Sequence, residues 1–514
     1  MKYMASFESL ETILPELQNI MAEYIFPKNC FISPLFMFRL CLRSCNSNYR
    51  KKFLVLIKTE IVNKMINFTH RKLDKGVLSL LFRVDHGIFQ GIEHIDLSGA
   101  EFPSNLLLML PITLKAIRFQ NLKFLRVREI QYISHLVNLT SLDLEDCRID
   151  DGSFLQALAE LPPARNLSNL RLTCDPISGA GTLDLVRIED FSKLTCLDLT
   201  YDHIGDDDVL LLARSPHMAN LTNLNLSSNL LGDASMIEIA RSPYLGNLTI
   251  LILNHNRRIS DEGVKALSRS STLSRLTKLE LGLNQFSADG LISILQSEYL
   301  TNLTALDLPH TELGDGDIVV LKRQLQRVFT SSVTSFNLSC VRTSFTILLM
   351  LLESSLMMNL STLDLRCGEV TYVEALVRSS HVRNIKTLNL SGCKVTDESL
   401  KSLVQSSNFM KLTSLDLSCN YIRDDGVWTL THSRYLRNLA HLDLNCNAIR
   451  NSGARILAES DLLGRLKYLN LSYNEIETEG IEAVRRSKCI HRYSNLELEF
   501  EPGNESDFES TSDG

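Results

Sequence analysis

One eleven-residue pattern recurs along this chain of 514 residues, and it constrains the fold more than any other feature. The pattern reads Leu-x-x-Leu-x-Leu-x-x-Asn-x-Ile, and it is complete at 412–422, 439–449 and 466–476. Nine of the thirteen intervals between its first positions are 27 residues long. A fixed period of this size indicates a solenoid, in which one supersecondary unit stacks on the next. The first positions are residues 139, 167, 194, 221, 248, 276, 303, 333, 360, 385, 412, 439, 466 and 493.

Each repeat predicts one short strand followed by one helix. The leucines at positions 4 and 6 point the same way along a strand, so they enter the core. The Asn at position 9 is placed to bond backbone groups of the next turn and to form a ladder through the stack. Helix-start residues with acids follow, as in 205–207 and 396–398. The pattern therefore predicts an α/β fold with a curved parallel sheet inside and helices outside.

This pattern resembles the leucine-rich repeat family over about residues 90–500. The unit length is similar to that of the ribonuclease inhibitor and of the Ran GTPase-activating protein, and the Ala-Arg-Ser-Pro segments within 213–221 and 240–248 resemble bacterial arrays. The resemblance implies a leucine-rich repeat solenoid that recognises a protein partner on its concave face. It also implies, as an enzyme-class alternative, a GTPase-activating protein of the Ran type.

The sequence divides into three parts. Residues 1–80 are expected to form a small helical head or cap, residues 81–500 the solenoid, and residues 501–514 a disordered acidic tail. The net charge of −7 is uneven along the chain. The stretch 26–75 holds eleven Lys or Arg and two acidic residues, whereas 493–514 holds seven acidic residues and no Lys or Arg. This polarity indicates either different partners at the two ends or simple solubilisation.

The head resembles an F-box, a short helical motif that docks on the Skp1 adaptor of a ubiquitin ligase. The resemblance implies that the repeats capture a substrate, and it departs from the family in lacking a closing tryptophan and in its lengthened middle at 26–32. The same residues also form one amphipathic helical face, which would seal the open end of a solenoid. Both interpretations stay open. The residues of the F-box-like segment are Leu14, Pro15, Leu17, Ile20 and Tyr24.

Acidic residues recur at position 5 of the repeat, on the concave face of the expected sheet. Such a ladder of carboxylates would create a negative field and favour a basic protein partner. Asp and Asn are also ordinary consensus at this position, so a merely solvated face is the competing interpretation. The candidate partner-binding residues are Asp143, Asp198, Glu280, Asp307, Asp364, Asp416 and Asp443.

The repeat is least regular between residues 303 and 395. The intervals there are 30, 27 and 25 residues, and an extra basic segment falls at 322–327. Interrupted repeats mark a binding site in some solenoids and tolerated drift in others. Position 9 carries Thr311, Val341, Gly368 and Cys393 in place of Asn.

Several functional classes find no support in the sequence. No phosphate-binding, nucleophile-elbow or zinc-protease motif is present, so neither an enzyme nor a cofactor is expected. The basic head lacks interleaved aromatic residues, so nucleic acid is not the expected partner. No signal peptide or membrane span is visible, which predicts a cytoplasmic protein, or one delivered into a host cytosol if the bacterial resemblance and the F-box-like head both hold.

The twelve cysteines do not suggest a disulfide scaffold in a chain of this length. Their spacing does not match a zinc site, so no metal is expected. Their regular placement predicts reduced thiols in small apolar packing positions at the strand exit. Seven of them occupy position 8 or 9 of the repeat: Cys147, Cys174, Cys340, Cys367, Cys393, Cys419 and Cys446.

Overall fold

The structure is a computed structural model, and its described part divides into two compact units. The N-terminal unit runs to Asp202 and the C-terminal unit begins at His203. The head, apart from one strand at its end, and the tail lie outside the described residues, so their predicted forms stay predictions. The described residues are 65–67, 92–99, 104–121, 127–147, 149, 152–174, 180–314, 316–325, 331–462, 465–487 and 497–499.

The N-terminal unit alternates short strands with helical segments. Its strands pair in parallel, each with the next along the chain. The strands are Met65–Asn67, His94–Asp96, Ala116–Gln120, Ser141–Glu145, Asn169–Arg171 and Cys196–Asp198. The α-helices are Val127–Ile130, Gly152–Ala159 and Ala180–Arg187, and the 3-10 helices are Ser104–Met109, Gln131–Ile133, Pro162–Asn166 and Glu189–Lys193.

The C-terminal unit repeats the strand–helix alternation with greater regularity. Its main strands are Asn223–Asn225, Ile250–Ile252, Lys278–Glu280, Ala305–Asp307, Ser335–Asn337, Thr362–Asp364, Thr387–Asn389, Ser414–Asp416, His441–Asp443, Tyr468–Asn470 and Glu497–Glu499. A second small parallel sheet joins Glu312–Leu313 to Arg342–Thr343. The α-helices are Asp206–Arg214, Asp233–Arg241, Asp261–Ser268, Ala288–Leu295, Asp317–Gln324, Phe345–Leu352, Thr371–Arg378, Asp397–Val404, Asp424–Thr431, Asn451–Ala458 and Thr478–Arg485. The 3-10 helices are Pro216–Met218, Leu245–Asn247, Ser355–Met357 and Ser407–Phe409.

Adjacent strands pair at equivalent repeat positions, as the fixed period predicts. Leu388 pairs with Leu415, and Leu415 pairs with Leu442, in parallel register. The middle residue of each strand points into the core, and Leu415 and Leu442 are 1% and 0% exposed. Each such leucine contributes about 1.5–3 kcal/mol by leaving water. The predicted leucine-rich repeat solenoid, with a parallel sheet and helices alongside it, is therefore confirmed.

The predicted ladder of Asn side chains at position 9 is present where the consensus holds. The Asn447 side-chain amide donates to the carbonyls of Leu417 and Leu444 at 2.9 and 3.1 Å, and its oxygen accepts from the Ile422 amide at 3.0 Å. One side chain thus satisfies backbone groups of two neighbouring repeats, which would otherwise be buried without partners. Asn229, Asn256, Asn284, Asn420 and Asn474 make similar bonds.

Other groups take over where position 9 lacks Asn. The Cys393 thiol donates to the Leu365 carbonyl at 3.0 Å, which reproduces one bond of the Asn ladder. In the preceding repeat the fully buried Tyr372 donates its hydroxyl to the Val341 carbonyl at 3.0 Å. The irregular stretch therefore keeps a closed core through different side chains.

A second ladder joins the start of each helix to the helix of the following repeat. Asp261 Oδ1, in the first turn of one helix, accepts the backbone amides of Ser287 and Gly290, both at 2.9 Å. The first amides of a helix have no partner within the helix, so the acid of the neighbouring repeat supplies one. Asp206, Asp233 and Asn451 act in the same way.

The contact between Asp261 and the next helix requires glycine, whereas Asp206 meets Ser235, whose hydroxyl donates to it. A Cβ atom at Gly290 would lie 2.7 Å from Asp261 Oδ1 and 3.2 Å from the Phe286 ring. We expect Gly290→Ala to lower the free energy of unfolding by about 1–3 kcal/mol, because the close contact outweighs the better helix propensity of alanine. Equilibrium denaturation in guanidinium chloride measures the change. Gly316→Ala is the matched control, since no atom lies within 4 Å of its Cβ position, and equal losses in the two variants would contradict the argument.

The charge of Asp206 gives a second prediction. Burial opposes ionisation, but hydrogen bonds from Ser235 and Gly232 hold the pKa of Asp206 below the ordinary 3.8. A lowered folded-state pKa stabilises the protein above the unfolded value, and this contribution is lost as the pH falls through the folded value. We expect Asp206→Ala to cost roughly 1 kcal/mol at about pH 7 and less at about pH 3. Denaturation midpoints at the two pH values measure this. Asp206→Asn, which keeps the acceptor as Asn451 does, should lose less, and a deficit independent of pH would refute the role of the charge.

Candidate functional site

The candidate site is the open face of each sheet, formed by the strand side chains that point away from the core. In Ser414–Asp416 the first and third residues are half-buried and the leucine between them is buried. Every predicted partner-binding acid is the third residue of its strand or the equivalent residue in a longer strand. All seven are half-buried: Asp143, Asp198, Glu280, Asp307, Asp364, Asp416 and Asp443.

The acids of the open face also have a structural task at the strand exit. Asp416 Oδ1 accepts the backbone amide and the hydroxyl of Ser418 at 2.9 and 2.7 Å. Asp443 Oδ1 accepts the amide of Asn445 at 2.8 Å. Asn389 Oδ1 likewise accepts the amide of Ser391 at 2.9 Å, which explains why both Asp and Asn occur in this column. One carboxylate oxygen is therefore engaged in the turn.

In the N-terminal unit the predicted acids belong to a network of ion pairs. The Arg171 guanidinium lies 3.5 Å from Asp143, 3.2 Å from Glu145 and 3.4 Å from Asp198. Arg118 donates to Asp143 at 3.0 Å. Burial raises the pKa of Asp143 despite the two arginines. Burial opposes the charge of Arg171, but the three carboxylates raise its pKa. This part of the face holds two arginines for three carboxylates, so it is much less negative than its acids alone would make it.

Lysine and arginine side chains also form ion pairs with three of the predicted acids in the C-terminal unit. Lys278 lies 2.6 Å from Glu280 and 3.4 Å from Asp307, and its hydrogen bond with Glu280 raises the lysine pKa. Burial raises the pKa of Asp307, against the effect of Lys278. Arg366 lies 2.6 Å from Asp364, and this hydrogen bond raises the arginine pKa. These cations weaken the negative field that the sequence pattern alone suggested.

The open face changes character in the next three repeats. Asp416 forms no salt bridge with any described residue, and its register partners on the two adjacent strands are Asn389 and Asp443. His441 is exposed, and it pairs in parallel register with Tyr468 on the neighbouring strand. The amide of Asn470 donates to Asp443 at 3.4 Å. Most side chains on this part of the face are therefore uncharged and polar. Its charged groups are carboxylates.

The cysteines of the strand exit correct one sequence prediction. Cys147 and Cys393, at position 9, are buried, as expected for small packing groups. At position 8, by contrast, Cys174, Cys367 and Cys419 are exposed. These residues have positive φ angles of 64°, 58° and 55°, and this backbone conformation turns the side chain away from the core. The prediction of apolar packing is therefore wrong for position 8.

The other candidate residues from the sequence analysis lie partly or wholly outside the described part of the chain. The F-box-like residues, Leu14 to Tyr24, lie outside the described residues, as do the last two residues of the basic segment 322–327. Among the described residues no cluster of three or more His, Cys, Asp or Glu side chains could hold a metal ion. No helix in this described part is long and apolar enough to cross a membrane. Sequence reasoning foresaw the acids of the face but not the cations that neutralise them, although Arg171 itself occupies position 5.

Comparisons with known proteins agree with this architecture. Eight segments match a family model described as Leucine Rich repeat: 135–153, 217–240, 247–268, 274–295, 381–404, 410–429, 435–458 and 466–484. The chain therefore carries leucine-rich repeats, and its fold is a solenoid of such repeats. A search of curated protein sequences found no match.

Two solved structures from Listeria monocytogenes strain 4b F2365 are similar to the chain. An internalin, inlF, is 19% identical, with 63% of this chain and 84% of that chain covered and a TM-score of 0.36. Internalin C2 is 23% identical, with 46% of this chain and 84% of that chain covered and a TM-score of 0.31. No conclusion about function follows from similarity at this level.

The ion-pair network predicts a pH-dependent effect of Arg171→Met. Removing Arg171 should raise the pKa of Asp143 further above 3.8, because the arginine opposes the effect of burial. A raised carboxyl pKa means that stability falls as the pH rises from the unfolded to the folded value. The variant should therefore lose on the order of 1–2 kcal/mol at about pH 7 and less at about pH 4. Denaturation midpoints at the two pH values measure the loss.

The control for this variant is Arg214→Met. Arg214 pairs at 3.2 Å with Glu238 on the helical side, and its side chain is 65% exposed. An exposed pair of this kind contributes little to stability at either pH. Similar losses in the two variants would show that the network on the open face has no special effect.

Proposed function

We propose that the open face of the C-terminal unit, from Thr362 to Ser472, binds a protein partner. Leucine-rich repeats support a role as a protein-interaction scaffold. The observation that carries the proposal is the grid of half-exposed polar side chains on successive parallel strands, fixed by strand pairing at equivalent positions. A surface whose side chains are already ordered loses little conformational entropy on binding, so it suits recognition of another macromolecule.

The turn hydrogen bonds favour directional contacts on this face. Asp416 Oδ1 is engaged by Ser418, which fixes the direction of the carboxylate while its second oxygen is not used in that turn. Asp364 is oriented by Arg366 in a two-point contact at 3.0 and 2.6 Å. A held carboxylate can accept a hydrogen bond from a partner at a small entropic cost.

Charge gives the expected chemistry of the partner. This part of the open face carries the carboxylates of Asp364, Asp416 and Asp443 and the guanidinium of Arg366. The excess of carboxylates favours a partner with Lys or Arg on its contact surface, and it predicts association that weakens with added salt. Tyr468, beside Asn470 at the end of the grid, offers an aromatic group of the kind enriched in interface hot spots.

Charge reversal tests the proposal. The variant with Asp364→Lys, Asp416→Lys and Asp443→Lys should lose capture of its partner at least tenfold, because three attractive contacts become repulsive. Affinity capture from eukaryotic cytosol, quantified by mass spectrometry, identifies proteins bound by the unmodified chain and lost by the variant. Direct titration of the recovered protein then gives the change in affinity.

A control variant keeps the same change in net charge on the helical side. Glu398, Asp425 and Glu459 are exposed residues of three successive repeats, at or beside the helices. Changing all three to Lys should leave capture intact. Equal loss in both variants would point to net charge alone, and unchanged binding in the open-face variant would remove the proposal.

The finer version of the proposal is a substrate receptor of a ubiquitin ligase. It rests on the F-box-like resemblance of Leu14, Pro15, Leu17, Ile20 and Tyr24, and on the order of head and repeats. Capture with the full chain and with a version that begins at Leu78 separates the two roles. Skp1 recovered only with the full chain would support ligase coupling and, with it, a location in a eukaryotic cytoplasm. Partners unchanged by removal of the head would support a plain scaffold, and the Ran-type alternative stays a prediction.

A further inference from the structure

A column of thiols borders the proposed binding face. Position 8 of each repeat adopts a positive φ angle and carries its side chain at the exit of the strand. In five successive repeats of the C-terminal unit this position is occupied, in order, by Cys340, Cys367, Gly392, Cys419 and Cys446. Gly392 has no side chain, so the column separates into two pairs of neighbours.

The first pair, Cys419 and Cys446, is placed side by side by the strand register. Asp416 pairs with Asp443, and each cysteine follows three residues later. The Cys419 amide donates to the Asn445 carbonyl at 2.8 Å, so the pairing continues up to the thiols. Neighbouring strands lie about 4.8 Å apart, which is within the range of Cα separations that a disulfide accepts.

The backbone and side chains of this pair also agree with bond formation. The φ angles of Cys419 and Cys446 are 55° and 53°, so the two residues share one backbone conformation. Closing the bond requires their Cβ atoms to move from the strand spacing of about 4.8 Å to about 4 Å. Burial and the neighbouring Cys446 thiol raise the pKa of Cys419, as expected for two thiols that lie close together. Cys419 is exposed and Cys446 is half-buried, so a small reagent can reach the pair.

The second pair repeats the arrangement. Asn337 pairs with Asp364, and Cys340 and Cys367 follow three residues later with φ angles of 54° and 58°. The Cys340 amide donates to the Arg366 carbonyl at 2.7 Å, and burial and the neighbouring Cys367 thiol raise the pKa of Cys340. The same geometry therefore occurs twice on one edge of the sheet.

We propose that Cys419 with Cys446, and separately Cys340 with Cys367, are sites of reversible oxidation, each closing a disulfide between neighbouring repeats. The oxidant is a small-molecule disulfide. One thiolate of a pair attacks it, forms a mixed disulfide and releases one small thiol. The second cysteine gives its proton to solvent, attacks the protein sulfur of the mixed disulfide and expels the other small thiolate, which takes up a proton. One disulfide is reduced to two thiols, and two protein thiols are oxidised to one disulfide.

The surroundings set the conditions of the reaction. Burial and the neighbouring thiol raise the pKa of Cys419 to about 11 and that of Cys340 to about 11. Little thiolate is therefore present at neutral pH, so exchange is slow there and faster in mild alkali, where more thiolate forms. Because Cys419 follows Asp416 by three residues, a closed bond would tie together two repeats at the edge of the open face.

The test uses the full chain and glutathione disulfide as the probe, at about pH 8.5, where the raised thiol pKa values leave more thiolate than at neutral pH. After free thiols are alkylated under acid quench and the protein is digested, mass spectrometry identifies the linked peptides. We expect peptides containing Cys419 and Cys446 to be joined with loss of two hydrogens, and likewise those containing Cys340 and Cys367. In Cys419→Ser, Cys446 should instead keep a glutathione adduct, because the thiol that resolves the mixed disulfide is missing.

Cys174 provides an internal control. It is exposed at the same repeat position with a φ angle of 64°, and the repeats on either side carry Asp146 and Tyr201 there. Cys174 should take up glutathione and form no internal link. The proposal is overturned if Cys419 and Cys446 in the unmodified protein each keep an adduct, if they stay unmodified, or if their links join other cysteines. None of these outcomes bears on partner capture, so the two proposals fail independently.

Discussion

The structure depends on polar side chains that hydrogen-bond to the backbone of the neighbouring repeat. Asn447 closes the turn after one strand, and Asp261 supplies the acceptor that begins the next helix. Leucine burial provides most of the favourable free energy, but apolar contacts alone would leave many loop amides and carbonyls unpaired in a stack of this kind. The ladders therefore decide which stacking arrangement is stable.

The same constraint shapes the candidate site. Asp416 contributes one oxygen to the turn and holds the other on the open face, so a single residue serves stability and presents charge. In the N-terminal unit, Arg171 neutralises the equivalent acids and the face becomes an internal network. Acidic residues at one repeat position thus have different consequences, which depend on the residues of the adjacent strands.

The period and the leucine positions were sufficient to predict the strands, their parallel register and the Asn ladder, because these follow from local spacing. Periodicity places Arg171 and Lys278 on the same face as Asp143 and Glu280, but it does not fix side-chain rotamers or burial, so these ion pairs could not be derived from the pattern. The exposure of Cys419 was not predicted, because the spacing of residue types does not reveal that the backbone at position 8 has a positive φ angle. The identity of the partner depends on a second molecule and cannot be derived from periodicity.

The contact between Asp261 and Gly290 has a consequence for how such a chain can change in length. The acid belongs to one repeat and the glycine to the next, and the contact recurs between Asp397 and Gly426 and between Asp424 and Gly453. Gain or loss of a whole repeat at these junctions preserves an acid opposite a glycine. Gain or loss of part of a repeat would place a side chain against the carboxylate. Genetic duplication in steps of the full period is therefore the tolerated route for lengthening this array.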